Sequence, residues 1–327
     1  MKAAVIASAG STPRYLDFVE PELDESRELV SLVAAGIHPI VLAMAQGAHY
    51  GSHGRYPSIP GVDAVARTAD GALVYTGYVT PPYGTLAERL AVPSDMRLEL
   101  PAGADPVQVA AAMNPGLSSW MPLVARVTER NSSGSANDLG TVLVLGATGT
   151  AGMLAVQNAF TLGATRVIAA GRDSDRLRLA EGRGAQPVAL SGDRGADASS
   201  LRAALGTSNP STVLDFVWGE PAEATFVALS RTGLDEDEGD TAYVEIGQSA
   251  GAEASLPASL LRSTSIRISG SGAGSGSLAE IMRQLPVYLR LIADGKVEVP
   301  VDVYRLNDVE NAWRAAPRSG ARAVVVP

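Results

Sequence analysis

The sequence predicts an α/β protein: a β-rich unit broken by prolines and glycines, joined to a doubly wound parallel sheet. Three observations carry this reading. From Thr141 onward, short apolar runs alternate with helix-like stretches. One of them, "TVLVLGATGTAGMLAVQNAF", passes from a strand through glycines at every third position directly into a helix. The first part of the chain, up to about Gly116, has little helical period and is punctuated by Pro and Gly.

In chain order, "KAAVIAS" and "ELVSLVAAGI" are apolar runs of strand length, and "YPSIPGVDAVA", "TPPYGTLAERLAVP" and "LELPAG" are interrupted by Pro and Gly. "PVQVAAAMN" is a short helix. "NSSGSAND" (131–138) reads as a polar loop before the strand "TVLVLG". A helix follows over Thr150–Leu162, then the strand "RVIAAG" and a helix over Ser174–Arg183. "PVALS", "STVLDFV", "AYVEIG" and "IRISGSG" are further strands, with helices over Ala198–Leu205 and Ala222–Ser230 between them. Six buried-type strands with intervening helices indicate a parallel sheet covered on both faces. "LDEDEGD" (234–240) is a charge run expected to be a solvated loop. After Gly276 an amphipathic helix leads to strand-containing sequence that returns to the first unit. The expected division is 1–115 with 277–327, and 116–276.

Composition narrows the function. The chain has 327 residues, enough for about two domains. A net charge of −9 argues against nucleic acid and anionic membrane surfaces as partners. With no cysteine, disulfides, thiolate nucleophiles and Cys-based zinc sites are excluded. No apolar run of transmembrane length and no signal-peptide pattern is seen, so a soluble cytoplasmic protein is expected.

Gly146, Gly149 and Gly152 form G-x-x-G-x-x-G between strand and helix, with Thr148 and Thr150 in the same turn. This is where helix N–H groups and the helix dipole meet a pyrophosphate. Gly146 allows the tight turn, Gly149 the approach of phosphate, and Gly152 close packing of helix on strand. The end of the next strand selects the nucleotide. An acidic residue there would hold the ribose 2′-hydroxyl of NAD. Here the strand ends in Gly171-Arg172, with Arg176 four residues on, which favours the 2′-phosphate of NADP(H). Asp173 and Asp175 are the competing reading, since either would serve the ribose if turned toward it.

With these motifs in place, the chain resembles the zinc-independent medium-chain dehydrogenases/reductases of the NADPH:quinone oxidoreductase-like branch. "LVAAGIHPI", "YPSIPGVDAVA", "YGTLAERLAVP", "AAAMNPGLSSW", the glycine turn, "VLDFVWG", "YVEIGQSAG", "ISGSGAGS" and "GARAVVVP" follow the family's motifs in order over nearly the whole chain. The resemblance implies a split GroES-like β domain, an inserted Rossmann domain, an active site in the cleft and a homodimer. The positions of the related zinc enzymes' ligands carry His38, Val62 and Asp63, too few for a site with three protein ligands. No metal is therefore expected.

Hydride transfer to a quinone or an α,β-unsaturated carbonyl is the implied reaction. It needs an oriented nicotinamide, a positioned acceptor and stabilisation of the developing oxyanion. The family's cleft positions fall at His38, Ala43, His49 or Tyr50, and Ser118. The family's Asn stands here as His38, its Asp as Val41 and one tyrosine as Ala43, so the acceptor pocket is rebuilt. His38, His49 and Tyr50 are the catalytic candidates, as hydrogen-bond or proton donors. The loop "QGAHYGSHGRYP", with His53, reads as a lid. Ser118, Gly247, Ser269 and Gly270 are expected cofactor contacts, Tyr78 and Tyr83 expected pocket walls, and Trp120 a packing residue. Two alternatives stay open: an enoyl-thioester or enone reductase with a wider cleft, and a non-catalytic NADP(H)-binding sensor.

Overall fold

Two compact units divide the chain: Met1–Pro115 with Leu285–Pro327, and Gly116–Gln284. The computed structural model describes residues 1–133, 138–234, 237, 239–317 and 320–327. Parts of the expected polar loop (134–137) and charge run (235, 236 and 238) lie outside the described residues.

The chain opens with strands β1 (Lys2–Val5), β2 (Arg14–Asp17) and β3 (Arg27–Gly36), then the short helix α1 (Pro39–Ala45). β4 (Asp63–Arg67), β5 (Leu73–Gly77), β6 (Arg89–Pro93) and β7 (Leu98–Glu99) follow, and α2 (Pro106–Ser133) spans the division between the units. The expected short helix at "PVQVAAAMN" is thus the first third of a 28-residue helix. Pro115 and Gly116, which read as a break, are accommodated within it because tertiary packing overrides local propensity. Val109 to Met113 and Leu123 are buried along its length.

The second unit contains β8 (Gly140–Leu145), α3 (Thr150–Thr161), β9 (Ala164–Gly171), α4 (Ser174–Gly182), β10 (Gln186–Ala189) and α5 (Arg194–Leu205). It continues with β11 (Thr212–Asp215), α6 (Gly219–Leu229), β12 (Thr241–Glu245), α7 (Ala258–Ser263) and β13 (Ile266–Gly270). All strands pair in parallel in the order β10-β9-β8-β11-β12-β13. The order reverses direction between β8 and β11, the switch point outside which such sheets bind ligands. Alternate residues of these strands face two cores. Leu143, Ile168, Val213 and Tyr243 meet α5 and α6 on one face, while Val144, Val167 and Leu214 meet α2 and α3 on the other. Burial on both faces explains why these strands read as continuous apolar runs.

α8 (Leu278–Ala293), β14 (Val301–Arg305), α9 (Val309–Ala315) and β15 (Arg322–Val326) end the chain. β15 pairs with β3 through Val324–Gly36 and Val325–Ala35, so the C-terminal strand completes the sheet of the first unit. That sheet runs β14-β15-β3-β4-β5-β7, with β6 also on β3. The sequence pattern missed α1, α7 and α9, which are only six or seven residues long, too short for a helical period to emerge.

In the second unit, four charges tie α2 to the start of β12 and to β13. Buried Arg126 binds Glu129 at 2.7 Å and Asp240 at 2.8 Å; Arg267 binds Asp240 at 3.0 Å and also Glu129. The hydrogen bond from Arg267 pulls the Glu129 carboxyl down from its ordinary 4.5 to about 2, with Arg126 adding to the effect and partial burial opposing it. A depressed carboxyl stabilises the fold fully above pH 4.5 and loses that contribution as pH falls through about 2. Glu129 is partly exposed, so screening limits the contribution to about 1 kcal/mol. Glu129→Gln is therefore expected to lower unfolding stability at pH 7 by about that amount. Urea denaturation at stepwise lower pH should show the gap to the parent closing toward pH 2.

Candidate functional site

The turn after β8 is shaped by what its glycines leave out. Gly146 has φ +81°, and a Cβ on it would lie 2.7 Å from Val217 Cγ1 in the turn after β11. The two turns at the switch point are thus in contact. A Cβ on Gly152 would lie 2.2 Å from the Gly146 carbonyl oxygen and 2.7 Å from Ala147 Cα, so only glycine lets α3 press against the end of β8. Gly146 and Ala147 both donate their N–H to the Ala170 carbonyl at 3.0 Å, which fastens the turn to β9. Helix α3 begins at Gly149 with no side-chain cap and no acid in its first turn. Its neighbours α4 and α5 are both capped, by Asp173 and Asp193. An uncapped N-terminus above a glycine turn is a site for an anion.

At the end of β9, Gly171 is followed by exposed Arg172. The two aspartates that compete for the ribose have local work. Asp173 Oδ1 accepts from the N–H groups of Asp175 and Arg176 at 3.0 and 3.1 Å, and Asp175 forms an ion pair with Arg178. Half-buried Arg176 stands in the first turn of α4, next to these groups. The loop after β10 is also built on a carboxylate. Buried Asp197 accepts from Ser191 N and Oγ at 2.7 Å and from Gly192 N at 3.0 Å.

Sequence reasoning passed over Asp215 and Tyr243, the buried pair behind the turn after β11. Tyr243 donates its hydroxyl to Asp215 Oδ2 at 2.5 Å, and Asp215 Oδ1 accepts from Val217 and Trp218 N–H at 2.8 Å. Burial raises the Asp215 carboxyl above its usual range, against the pull of these three donors. Burial likewise pushes the Tyr243 hydroxyl well up, and the Asp215 charge adds to it. The pair holds Trp218 in a left-handed conformation at φ 54°. In sequence, an Asp at a strand end inside "VLDFVWG" was the available signal. Glu245, at the same level on β12, is half-buried, and its carboxyl is raised by burial and by Asp215. Gly247 lies against this turn, where a Cβ would sit 3.0 Å from the Phe216 carbonyl. Ser269 and Gly270 are exposed on the edge strand β13. Ser118 is partly buried on α2, and buried Trp120 donates its indole N–H to Gln284 at 2.9 Å.

In the first unit, His38 stands at the N-cap position of α1 without a side-chain cap bond, buried with only 1% of its surface exposed. Its Nε2 lies 3.2 Å from Oδ1 of buried Asp63. This is an electrostatic approach and not an aligned hydrogen bond: neither atom has a hydrogen-bond partner, nor does His38 Nδ1. The other carboxylate oxygen of Asp63 accepts from the Tyr75 hydroxyl at 2.8 Å, and burial, then the Asp63 charge, raises that hydroxyl well above its ordinary value. Gly36 makes room for the imidazole, since a Cβ there would lie 2.5 Å from His38 Cε1. Buried Arg322 donates to the neighbouring Ile37 carbonyl at 2.9 Å. His49 and Tyr50 lie beyond the other end of α1, about 10 Å of helix away. Their rings stack at 4.0 Å, Tyr50 is 75% exposed, and His49 Nδ1 accepts from Gly51 N–H at 3.0 Å. His53 Nδ1 accepts from Arg55 N–H in the same way. The structure therefore joins His49 to Tyr50 and joins His38 to Asp63. Tyr78 is exposed, whereas Tyr83 packs edge-on against Phe18 and donates to the Glu20 carbonyl. Among the described residues, no group of three or more His, Asp or Glu side chains is placed to hold a metal ion.

No family model matches the chain. It is 29% identical over 369 aligned positions, covering all of both chains, to a protein of Emericella nidulans described as a probable NADPH-dependent quinone reductase. Its fold matches an alcohol dehydrogenase superfamily protein of Novosphingobium aromaticivorans with a TM-score of 0.79 at 24% identity, over 100% of this chain and 99% of the other. It matches the quinone oxidoreductase of Thermus thermophilus, solved also in complex with NADPH, with a TM-score of 0.71 at 26% identity over all of both chains. In sequence and fold the chain is similar to quinone-reductase-like medium-chain dehydrogenases/reductases. Its GroES-like sheet and its Rossmann sheet are the two sheets described above. The buried His38–Asp63–Tyr75 chain begins at His38, which stands where the resembled family carries an Asn.

That chain is expected to be structural at the Tyr75 end. Tyr75→Phe removes the donor to a buried carboxylate and should cost about 1–3 kcal/mol. Urea denaturation should show a lower midpoint with an unchanged slope.

Proposed function

We propose that this chain is a zinc-independent, NADPH-dependent oxidoreductase that reduces a quinone or an α,β-unsaturated carbonyl, working in the cytoplasm as a homodimer. The observation that carries the reading is the end of β9. Gly171 offers no carboxylate, Asp173 is committed to the cap of α4 and Asp175 to Arg178, while Arg172 is exposed beside Arg176. Guanidinium groups there suit a 2′-phosphate and leave a 2′-hydroxyl without its usual acceptor. The fungal and Thermus relatives support the same nucleotide and acceptor class.

The turn Gly146–Gly152, with Thr148 and Thr150, would hold the pyrophosphate against the uncapped start of α3. Arg172 and Arg176 would hold the 2′-phosphate, and Ser118, Gly247, Ser269 and Gly270 the nicotinamide half. NADPH, when bound, supplies a hydride. Proton supply falls to partly buried His49 and exposed Tyr50 of the first unit. With Nδ1 engaged by Gly51, the neutral His49 ring carries its proton on Nε2. His38, buried against Asp63, takes no part in proton supply. The sensor reading draws on one observation, that this third histidine is closed to solvent.

Titration with NADPH and NADH decides the cofactor. Arg172→Ala is expected to weaken NADPH at least tenfold while NADH changes less than twofold; equal losses for both would remove the 2′-phosphate role. Nicotinamide absorbance with 1,4-benzoquinone and with a cyclic enone decides turnover, and binding with no oxidation by either would favour the sensor. β13 is an edge strand, and light scattering should give twice the 33.7 kDa chain mass.

A further inference from the structure

We propose that Thr148 and Gly171 form a steric gate that sets nucleotide choice. The Thr148 side chain fills the space of a Cβ at position 171 and so keeps a carboxylate off the end of β9. This rests on the nucleotide reading above and names the pair that enforces it.

A Cβ built on Gly171 would lie 2.5 Å from Thr148 Cγ2, 2.9 Å from Oγ1 and 3.2 Å from Cβ. Rotation of Thr148 does not relieve this. Its Cβ has three staggered positions, two of them filled by heavy atoms. The two close positions are the two now filled, so every staggered rotamer keeps at least one of them occupied. The backbones have no slack either. Gly171 pairs with Ala189 on β10, and its carbonyl accepts from Leu190 N–H at 2.8 Å. The turn carrying Thr148 is pinned to the Ala170 carbonyl by Gly146 and Ala147 N–H, and Gly149 N–H closes it onto the Gly146 carbonyl at 3.0 Å. Any side chain at 171 therefore collides with Thr148 between a paired strand end and a pinned turn.

The chemistry follows from the position. Strand ends of this kind bind the ribose 2′-hydroxyl through a carboxylate. Here the phosphate turn itself forbids one, through a β-branched residue whose partner must be glycine. What remains at the strand end is the exposed Arg172, suited to a ribose that carries a 2′-phosphate.

The test uses the full chain and four variants: Gly171→Ala, Thr148→Ala/Gly171→Ala, Gly171→Asp and Thr148→Ala/Gly171→Asp. Each is followed by urea denaturation and by titration with NADPH and NADH. Gly171→Ala is expected to unfold at clearly lower urea than the parent, with Thr148→Ala restoring most of the loss. Thr148→Ala/Gly171→Asp is expected to bind NADH at least tenfold more tightly than the parent and NADPH at least tenfold more weakly. Gly171→Asp alone should fall short of that switch. A Gly171→Ala protein as stable as the parent overturns the gate, as does failure of Thr148→Ala to restore stability. Restored stability with nucleotide preference unchanged in the double Asp variant also overturns it. Failure of the underlying cofactor reading looks different: the parent itself would bind neither nucleotide.

Discussion

The absence of a side chain at Gly152 is the constraint on which the second unit's chemistry rests. The space for its Cβ is taken by the Gly146 carbonyl and Ala147 Cα, at 2.2 and 2.7 Å. With any other residue, α3 would have to tilt away from β8, and its first turn would no longer stand over the strand end. Held where it is, the helix directs its uncapped N–H groups and the positive end of its dipole into one small region. The same close approach fixes the turn between Gly146 and Gly149, which puts Thr148 against Gly171 and brings Gly146 against Val217. Backbone geometry thus sets both the proposed anion site and its two walls, before any charged side chain is considered.

Charge is then distributed by occupation. The chain is acidic overall, at −9, which ought to make a poor phosphate site. Four of the aspartates near the C-terminal edge of the sheet are consumed by backbone amides instead. Asp173 and Asp193 cap α4 and α5, Asp197 binds the loop after β10, and Asp215 binds the turn after β11. A cap of this kind contributes about 1 kcal/mol, enough to hold each carboxylate in place. The start of α3, alone of the first three helices after β8, receives no such group. An acidic protein can in this way keep a local surplus of donors where a phosphate is to bind.

How much of this was legible in the sequence depends on the range of the interaction. The parallel sheet was legible because each strand is buried on both faces and its alternation with helices is local. The glycine turn was legible because strand, turn and helix are contiguous. α2 reads as shorter than it is because Pro115 and Gly116 are poor helix formers that packing nevertheless keeps helical. The roles of Asp173 and Asp175 stay open in the sequence because a cap is a matter of rotamer, and both residues are offered equally. Asp215 with Tyr243, and Asp63 with Tyr75, join residues 28 and 12 positions apart, and no local period reports such pairs. His38 reads as a donor by its place in the chain; its burial depends on Gly36 and Asp63 from two different strands.

The first unit separates two kinds of histidine, and this bears on which acceptor suits the proposed reaction. The His38 imidazole faces the Asp63 carboxyl from a buried position, with 1% of its surface exposed, and is closed to solvent. The His49–Tyr50 stack is more open: Tyr50 is exposed and His49 partly so, with one His49 ring nitrogen anchored by Gly51 and the other left as a donor. A quinone that has received a hydride leaves a hydroquinone anion, which takes its proton from water. An enone leaves an enolate, for which a donor held in place matters more. On the proposed function, enone turnover therefore depends on the stacked pair and quinone turnover much less.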